Sequence, residues 1–290
     1  MSQHVLVTGA GSFSGRHIVE GLLARGHRVT AVLRSGRGDF AGGGRNLAVV
    51  AGDLSSEIPL PDSYDAVVHA AARSIWAGVT VDEMVRDNIV ATRRLIGHAR
   101  RAKARRFIFL SSLSVYGRIE AAVVDEATPV VDPDAYGLTK RLGEEMLAAE
   151  PAFASLAIRL PGVVGQGSVR NWLTNVAAAA REGREIAVFN PQAPFNNAVH
   201  ICDLVAFAAA LLERDWKSAD VVTIAAGGQT TVAGAARMLA EAHGGRSQVR
   251  EKPADKPSFV VSSARAQELY GYRPMDITEL LRRLAAENAG

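Results

Sequence analysis

Residues 6–15 read "LVTGAGSFSG": an apolar run, then three glycines, then the opening of a helix. Gly9 closes the run and Gly15 starts the helical pattern "GRHIVEGLLARG" (15–26). A strand–turn–helix of this kind gathers backbone N–H groups and the positive end of a helix at one point, which suits a pyrophosphate. The spacing departs from both common glycine fingerprints. The G-x-G-x-x-G form asks for glycine at Ser14, and the G-x-x-G-x-x-G form asks for it at Ser12. Both serines are small and carry hydroxyls able to donate to phosphate oxygens, although a positive φ at position 12 would strain a serine. Gly9, Gly11, Ser12, Phe13, Ser14 and Gly15 form the expected cradle.

Outward from this loop, short β-branched runs alternate with longer amphipathic stretches. "RVTAVL" (28–33), "LAVVAG" (47–52), "DAVVHAAA" (65–72), "RFIFLSS" (106–112) and "LAIRLP" (156–161) are nearly continuous apolar runs. Such runs are expected of parallel strands covered on both faces. Helical patterns over 81–102 and 138–150 lie between them, so the chain is read as α/β, a doubly wound parallel sheet. After about residue 165 the rhythm loosens. Residues 1–165 are the expected dinucleotide-binding domain, and 166–290 a smaller C-terminal lobe with some segments returning to the main body.

Bulk properties exclude several classes. A net charge of +3 and scattered basic residues are too weak for a nucleic-acid stripe. The one cysteine allows no disulfide framework and no thiolate metal cluster within one chain, which suits a reducing cytoplasm. No basic segment precedes a long apolar run at the N-terminus and no uninterrupted run of 18 apolar residues is present, so neither secretion nor membrane spanning is expected.

The end of the second strand bears on the dinucleotide. An Asp or Glu there would take ribose hydroxyls, but the sequence has "VLRSGR", with Arg34, Ser35 and Arg37. Guanidinium forks match a 2′-phosphate, so NADP is expected, with NAD as the alternative. Farther along, "DAYGLTK" (134–140) places Tyr136 and Lys140 at i and i+4 on one helix face. "FIFLSSLSVYG" (107–117) ends a buried strand in Ser111 and Ser112, at the sheet edge where ligands bind.

Glycine loop, serine strand end and Tyr–Lys helix, in that order, resemble the extended branch of the short-chain dehydrogenase/reductase superfamily, the NAD-dependent epimerase/dehydratase group. "GDL" resembles the family's adenine-contacting pair, here Asp53 and Leu54. "VVHAAA" resembles its cofactor-lining loop, here Ala70, Ala71 and Ala72, and "DNIVAT" matches its N-x-x-G-T segment at Asn88. "RLPGVVG" resembles the stretch that places Pro161, Val163 and Val164 near the nicotinamide, and "VHICDLV" and "VVSSARAQELYGYRP" match later family segments. The resemblance implies a Rossmann domain and catalysis by Ser112, Tyr136 and Lys140, with Ser111 beside the cofactor. Tyr136 would exchange a proton with substrate, Ser112 would hold the substrate oxygen, and Lys140 would anchor the ribose and acidify the phenol. Lowering a phenol by about three pKa units requires roughly 4 kcal/mol of preferential phenolate stabilisation.

The family's 4,6-dehydratases follow the active-site hydroxyl with Asp–Glu. Leu113 and Ser114 stand there instead, so elimination of water is not expected. The positions that grip a diphosphate in its nucleotide-sugar epimerases fall at Gly162, Asn196 and Lys252, which weakens that grip. The expectation is therefore an NADP-dependent oxidoreductase acting on a keto-sugar carbonyl, free or nucleotide-linked. The alternatives are a sugar-nucleotide 4-epimerase holding NAD, a reductase of small non-sugar carbonyls, and a non-catalytic NADP sensor. Expected substrate contacts are Ser74, Trp76, Ser112, Asn171, Phe195, Asn196 and Lys252. His200 and Asp203 are read as structural, and no metal is expected. A homodimer through helices 81–102 and 138–150 is the family's implied assembly.

Overall fold

The computed structural model describes residues 2–36, 38–75, 78–252 and 257–287. The apolar runs become strands β1 (His4–Thr8), β2 (Arg28–Leu33), β3 (Leu47–Ala51), β4 (Ala66–His69), β5 (Arg106–Ser112), β6 (Ala154–Leu160) and β7 (Asp220–Thr223). They form one seven-stranded sheet in the order β7-β6-β5-β4-β1-β2-β3. The chain winds outward from β1 in both directions. β1 pairs in parallel with β2 on one side and β4 on the other, Val7 facing Ala31 and Val68. The carboxyl end of β1 is thus a topological switch point, where two connections leave to opposite sides and open a crevice.

Two compact units divide the chain. The first comprises Met1–Arg118, Val130–Arg159 and Val205–Val222. Val5, Leu6 and Val7 are fully buried there, which is why their run is unbroken by polar residues. His69 is buried among them, between the hydroxyls of Thr8 (2.6 Å) and Thr92 (2.8 Å). Burial, with the Lys140 charge adding to it, pushes its imidazole down to about 3, so it works as a neutral cross-link.

Helix α1 (Phe13–Ala24) begins two residues before the expected start. The helix expected over 81–102 is not uniform. A turn of α-helix (Val81–Met84) passes into a π-helical turn (Val85–Val90) before α2 (Ala91–Arg101). Helix α3 (Ala135–Ala148) is capped by Asp134, whose carboxylate accepts from the Gly137 N–H at 2.7 Å. One turn beyond Lys140, Glu144 is buried against Arg159 Nη2 (2.7 Å) and Nε (3.0 Å).

The second unit comprises Ile119–Pro129, Leu160–Leu204 and Thr223–Gly290. Its core is built from α4 (Trp172–Glu182), a helix at Val232–Ala242 and another at Ile277–Glu287, through Leu173, Val176, Leu239, Leu280 and Leu284. Short parallel pairs frame it: Gly162–Val164 with Ala198–His200, and Ile186–Phe189 with Val249–Lys252.

Candidate active site

The glycine loop answers the question that its serines raise. Ser12 sits at φ −77°, an ordinary extended conformation, and its hydroxyl accepts the Gly15 N–H at 3.1 Å. No glycine-only backbone is required there, and the serine caps α1 instead. Glycine is obligatory elsewhere. Gly9 has φ +65°, and a Cβ on it would lie 2.5 Å from the Ala71 nitrogen; one on Gly15 would lie 2.1 Å from the Gly9 oxygen. Loop, helix start and β4 exit are packed backbone to backbone, which leaves a cradle only a chain without side chains can line. Phe13 and Ser14 start α1, with Phe13 edge-on to His17.

A cleft of about 350 Å³ opens beside this loop within the first unit. Gly9, Gly11, Ser12, Leu54 and the run Ala70, Ala71 and Ala72 line it. Asp53 is on its wall with Oδ1 accepting from Ser55 N and Oγ, both at 2.8 Å. Those hydrogen bonds, the backbone one foremost, hold its carboxyl below the usual range. The residues present fit a dinucleotide: bare backbone at a helix N-terminus, then a slot ending in a carboxylate.

Arg34 lines the cleft, but its guanidinium is already engaged. Nη2 lies 2.7 Å from Oδ2 of Asp87, which Arg73 Nε also meets, while Arg86 Nε lies 2.9 Å from Oδ1. Burial works against the Asp87 charge, yet bonds from Arg86, Arg34 and Arg73 hold its carboxyl at about 2. Asp87 and Arg73 were not singled out from the sequence. Ser35 is exposed beside Arg34, and Arg37 lies outside the described residues, as does Trp76.

Asn88, expected at the cofactor, is spent on protein. Its Oδ1 accepts the Arg73 N–H (2.6 Å), and its Nδ2 donates to the Arg73 carbonyl and to Thr139 Oγ1, each at 2.9 Å. The π turn thereby ties the loop after β4 to the helix that carries Tyr136 and Lys140. Ser111 is likewise diverted: its hydroxyl donates to Glu144 Oε1 at 2.6 Å, in the interior.

The remaining hydroxyls converge on Tyr136. Burial raises its phenol above the ordinary value; Ser74 is the strongest influence downward, Asp134 adds to the rise, and Ser112 lowers it. Ser112 closes β5, accepts the Ser114 N–H at 3.1 Å and turns the chain at Leu113–Tyr116. Lys140 is buried. Its Nζ donates to the Leu110 carbonyl at 2.5 Å and lies 4.4 Å over the Phe109 ring. Desolvation pushes its ammonium down to about 7. The downward pull on Tyr136 comes from the two serines.

The second unit holds a cavity of about 640 Å³. Trp172 and Phe195 meet edge to face on its wall at 5.1 Å. Asn171 lines it too, though its side chain caps α4 through the Thr174 N–H (3.0 Å) and reaches the Val163 carbonyl (3.3 Å). Val164 is a fully buried lining residue; Pro161 and Val163 are half-buried. Asn196, expected at the substrate, has its amide on the Val261 backbone, accepting at 2.8 Å and donating at 2.9 Å, so it ties together two segments of the second unit. Its neighbour Asn197 lines the cavity, with a buried Oδ1 that has no protein partner. Lys252 is exposed at the end of its strand. His200 faces Glu287 at 3.2 Å and Asp203 accepts the Met275 N–H. Among the described residues no group of three metal-ligating side chains occurs, and no helix is long and apolar enough to cross a membrane.

Sheet order, glycine loop and Ser–Tyr–Lys set together define a nucleotide-dependent dehydrogenase-type body. The NAD dependent epimerase/dehydratase family model matches residues 5–225, and the chain belongs to that family. It is 26% identical over 307 residues to a UDP-glucose 4-epimerase of Azospirillum brasilense, covering 94% of this chain and 88% of the relative. It is also 32% identical over 200 residues to a 2-alkyl-3-oxoalkanoate reductase of Stenotrophomonas maltophilia, covering 62% and 56%. Among solved structures it resembles MoeE5 in complex with UDP-glucuronic acid and NAD (TM-score 0.82, 26% identity, 98% of each chain). The protein is an NAD(P)-dependent enzyme of the extended short-chain dehydrogenase/reductase type.

Proposed function

We propose that the chain moves a hydride between a nicotinamide dinucleotide and a secondary carbinol or carbonyl carbon of a sugar-type substrate. The observation that carries this is the cleft of bare backbone at α1, in one unit with a phenol addressed by Ser74 and Ser112. The bound dinucleotide supplies hydride acceptor and donor. Tyr136 Oη takes the hydroxyl proton from the substrate as its carbon is oxidised, and returns it on reduction. Ser112 holds the substrate oxygen, and Lys140, fixed on Leu110, is assigned to the ribose side. Substrate recognition is assigned to the cavity of the second unit.

Between the finer readings, oxidation followed by re-reduction, as in a sugar-nucleotide 4-epimerase holding NAD, has the better support. The match to the Azospirillum epimerase runs through both units and covers most of each chain. Net reduction of a keto-sugar with NADP is the second reading, and it rests on Arg34 at a strand end where an acid would take ribose hydroxyls. The test is incubation of purified protein with UDP-, dTDP- and GDP-sugars, then chromatography for an epimer, with NADH and NADPH consumption followed in parallel. Tyr136→Phe is expected to lower turnover by about 10²–10⁴-fold while dinucleotide binding persists. Undiminished turnover in that variant would refute the reading. A homodimer is proposed too, on the exposed Val81, Val85, Leu138 and Leu142; light scattering on the eluted protein checks it.

A further inference from the structure

The carboxylate of Asp87 collects three guanidiniums, and they are not held alike. Arg73 is anchored by its backbone, with N–H and carbonyl both bonded to the Asn88 amide. Arg86 is the preceding residue of the same π turn. Arg34 comes from across the cleft, after β2, and its side chain is about half exposed. Removing Arg34 leaves Asp87 still paired with two cations, so its departure uncovers no buried lone charge. Arg34 is the exchangeable member.

Resting on the nicotinamide-dinucleotide reading, we infer that Asp87 is a specificity-determining residue: it competes with the 2′-phosphate of NADP for the guanidinium of Arg34. With an adenosine ribose bearing a free 2′-hydroxyl, Arg34 stays on Asp87, and NAD is accepted without an acid at the strand end. With a 2′-phosphate, the fork of Arg34 moves to the dianion, a stronger acceptor than a carboxylate already shared three ways. Arg73 and Arg86 remain to neutralise Asp87. The chain thus takes both dinucleotides, and the ratio between them is set by this carboxylate as much as by the arginine.

Removing the carboxylate has one sign on both counts. It frees Arg34, and it removes a negative charge from the neighbourhood of an incoming dianion. The experiment is calorimetric titration of the full chain with 2′,5′-ADP and with 5′-AMP, which reports the adenosine end without turnover. In Asp87→Asn the affinity for 2′,5′-ADP is expected to rise on the order of tenfold, with 5′-AMP changed less than threefold. In Arg34→Ala the preference for 2′,5′-ADP is lost, and adding Asp87→Asn to that variant restores clearly less than the gain seen with Arg34 present, only the part due to the removed charge. An unchanged or lowered ratio in Asp87→Asn would overturn the inference, as would the same gain in the Arg34→Ala background. If Asp87→Asn unfolds, Asp87→Ser carries the same comparison, and Asp87→Glu, which keeps a competing carboxylate, is expected to leave the ratio within about threefold of wild type; a gain of about tenfold in Asp87→Glu would also overturn the inference. The two failures are distinguishable: a wild-type chain that binds neither 5′-AMP nor 2′,5′-ADP refutes the dinucleotide reading, whereas binding of both with an unchanged ratio in Asp87→Asn refutes this inference alone.

Discussion

The cleft of the first unit, proposed for the dinucleotide, and the cavity of the second are built by opposite means. The cleft is backbone and charge: glycines against main chain on one side, three arginines on one carboxylate on the other. The cavity is aromatic rings and neutral amides, with Trp172 on Phe195 and Asn197 offering an unpaired oxygen. A backbone cradle fixes its ligand's shape to within a methyl group, whereas a wall of side chains can be rebuilt. The same kind of sequence change should therefore have very different results in the two places.

Glycine-to-alanine substitution is the harshest way to break that contrast. In Gly15→Ala the new methyl would lie 2.1 Å from the Gly9 oxygen, so strand end or helix start must move. Dinucleotide affinity is expected to fall at least about 100-fold, with a stability loss on the order of 2–3 kcal/mol. In Gly162→Ala, at the cavity, the methyl would meet the Asn171 side chain at an ordinary 3.5 Å. That variant should melt within a few degrees of wild type and bind the dinucleotide normally. Differential scanning fluorimetry with and without NAD checks both. Equal losses in the two variants would remove the distinction.

The cleft's supporting strands should also be the more sensitive to acid. His69 is buried neutral, its folded pKa about 3 against 6.5 when unfolded, so the unfolded chain binds the extra proton. Stability from this group is complete above pH 6.5 and is lost as pH falls toward 3. Lys140, down at about 7, acts in a different window, between 10.5 and 7, and Asp87 acts below 3.8. Between pH 6.5 and about 4 histidines therefore dominate, and His69 shares that range with His4, His27, His98, His200 and His243, all lowered first by burial. Melting curves across this range should decline for wild type and flatten in His69→Asn. A slope unchanged by that substitution would assign the effect to the other histidines.

What was legible in the sequence follows the same division. The sheet's inner strands could be read because a strand buried on both faces needs an unbroken apolar run, though the edge strand β3 carries such a run without that burial, and the cradle because only glycine tolerates backbone contact. Single side chains were harder wherever two like residues adjoin. Ser111 and Ser112 are successive on a strand and point to opposite faces, so one meets Glu144 and the other the phenol. Asn196 and Asn197 divide likewise, one clamping Val261 and the other lining the cavity. On a strand, period-two alternation says that such neighbours separate but not which faces a ligand; between strands, where Asn196 and Asn197 lie, it says neither. Asp87 and Arg73 were missed for another reason: their pairing joins segments distant in sequence, through a π turn that no local pattern announces.

The smallest effect expected is at Asn197, and it has the opposite sign from those in the cleft. A buried carbonyl oxygen without a partner carries its desolvation cost in the folded state and gets nothing back. Replacing it with an apolar group of similar size, Asn197→Leu, removes that cost while the walls of Trp172 and Phe195 can adjust. Stability is expected to stay level or to rise by up to about 1 kcal/mol, read as a small increase in melting temperature. Ligand binding at the cavity should weaken in the same variant, because the oxygen that a ligand N–H or O–H would satisfy is gone. Stability and recognition are therefore predicted to move apart at this one residue, whereas at Gly15 they fall together. A destabilised Asn197→Leu protein would mean that the oxygen already has a partner such as an ordered water, and that the cavity, like the cleft, is fixed by its polar contacts.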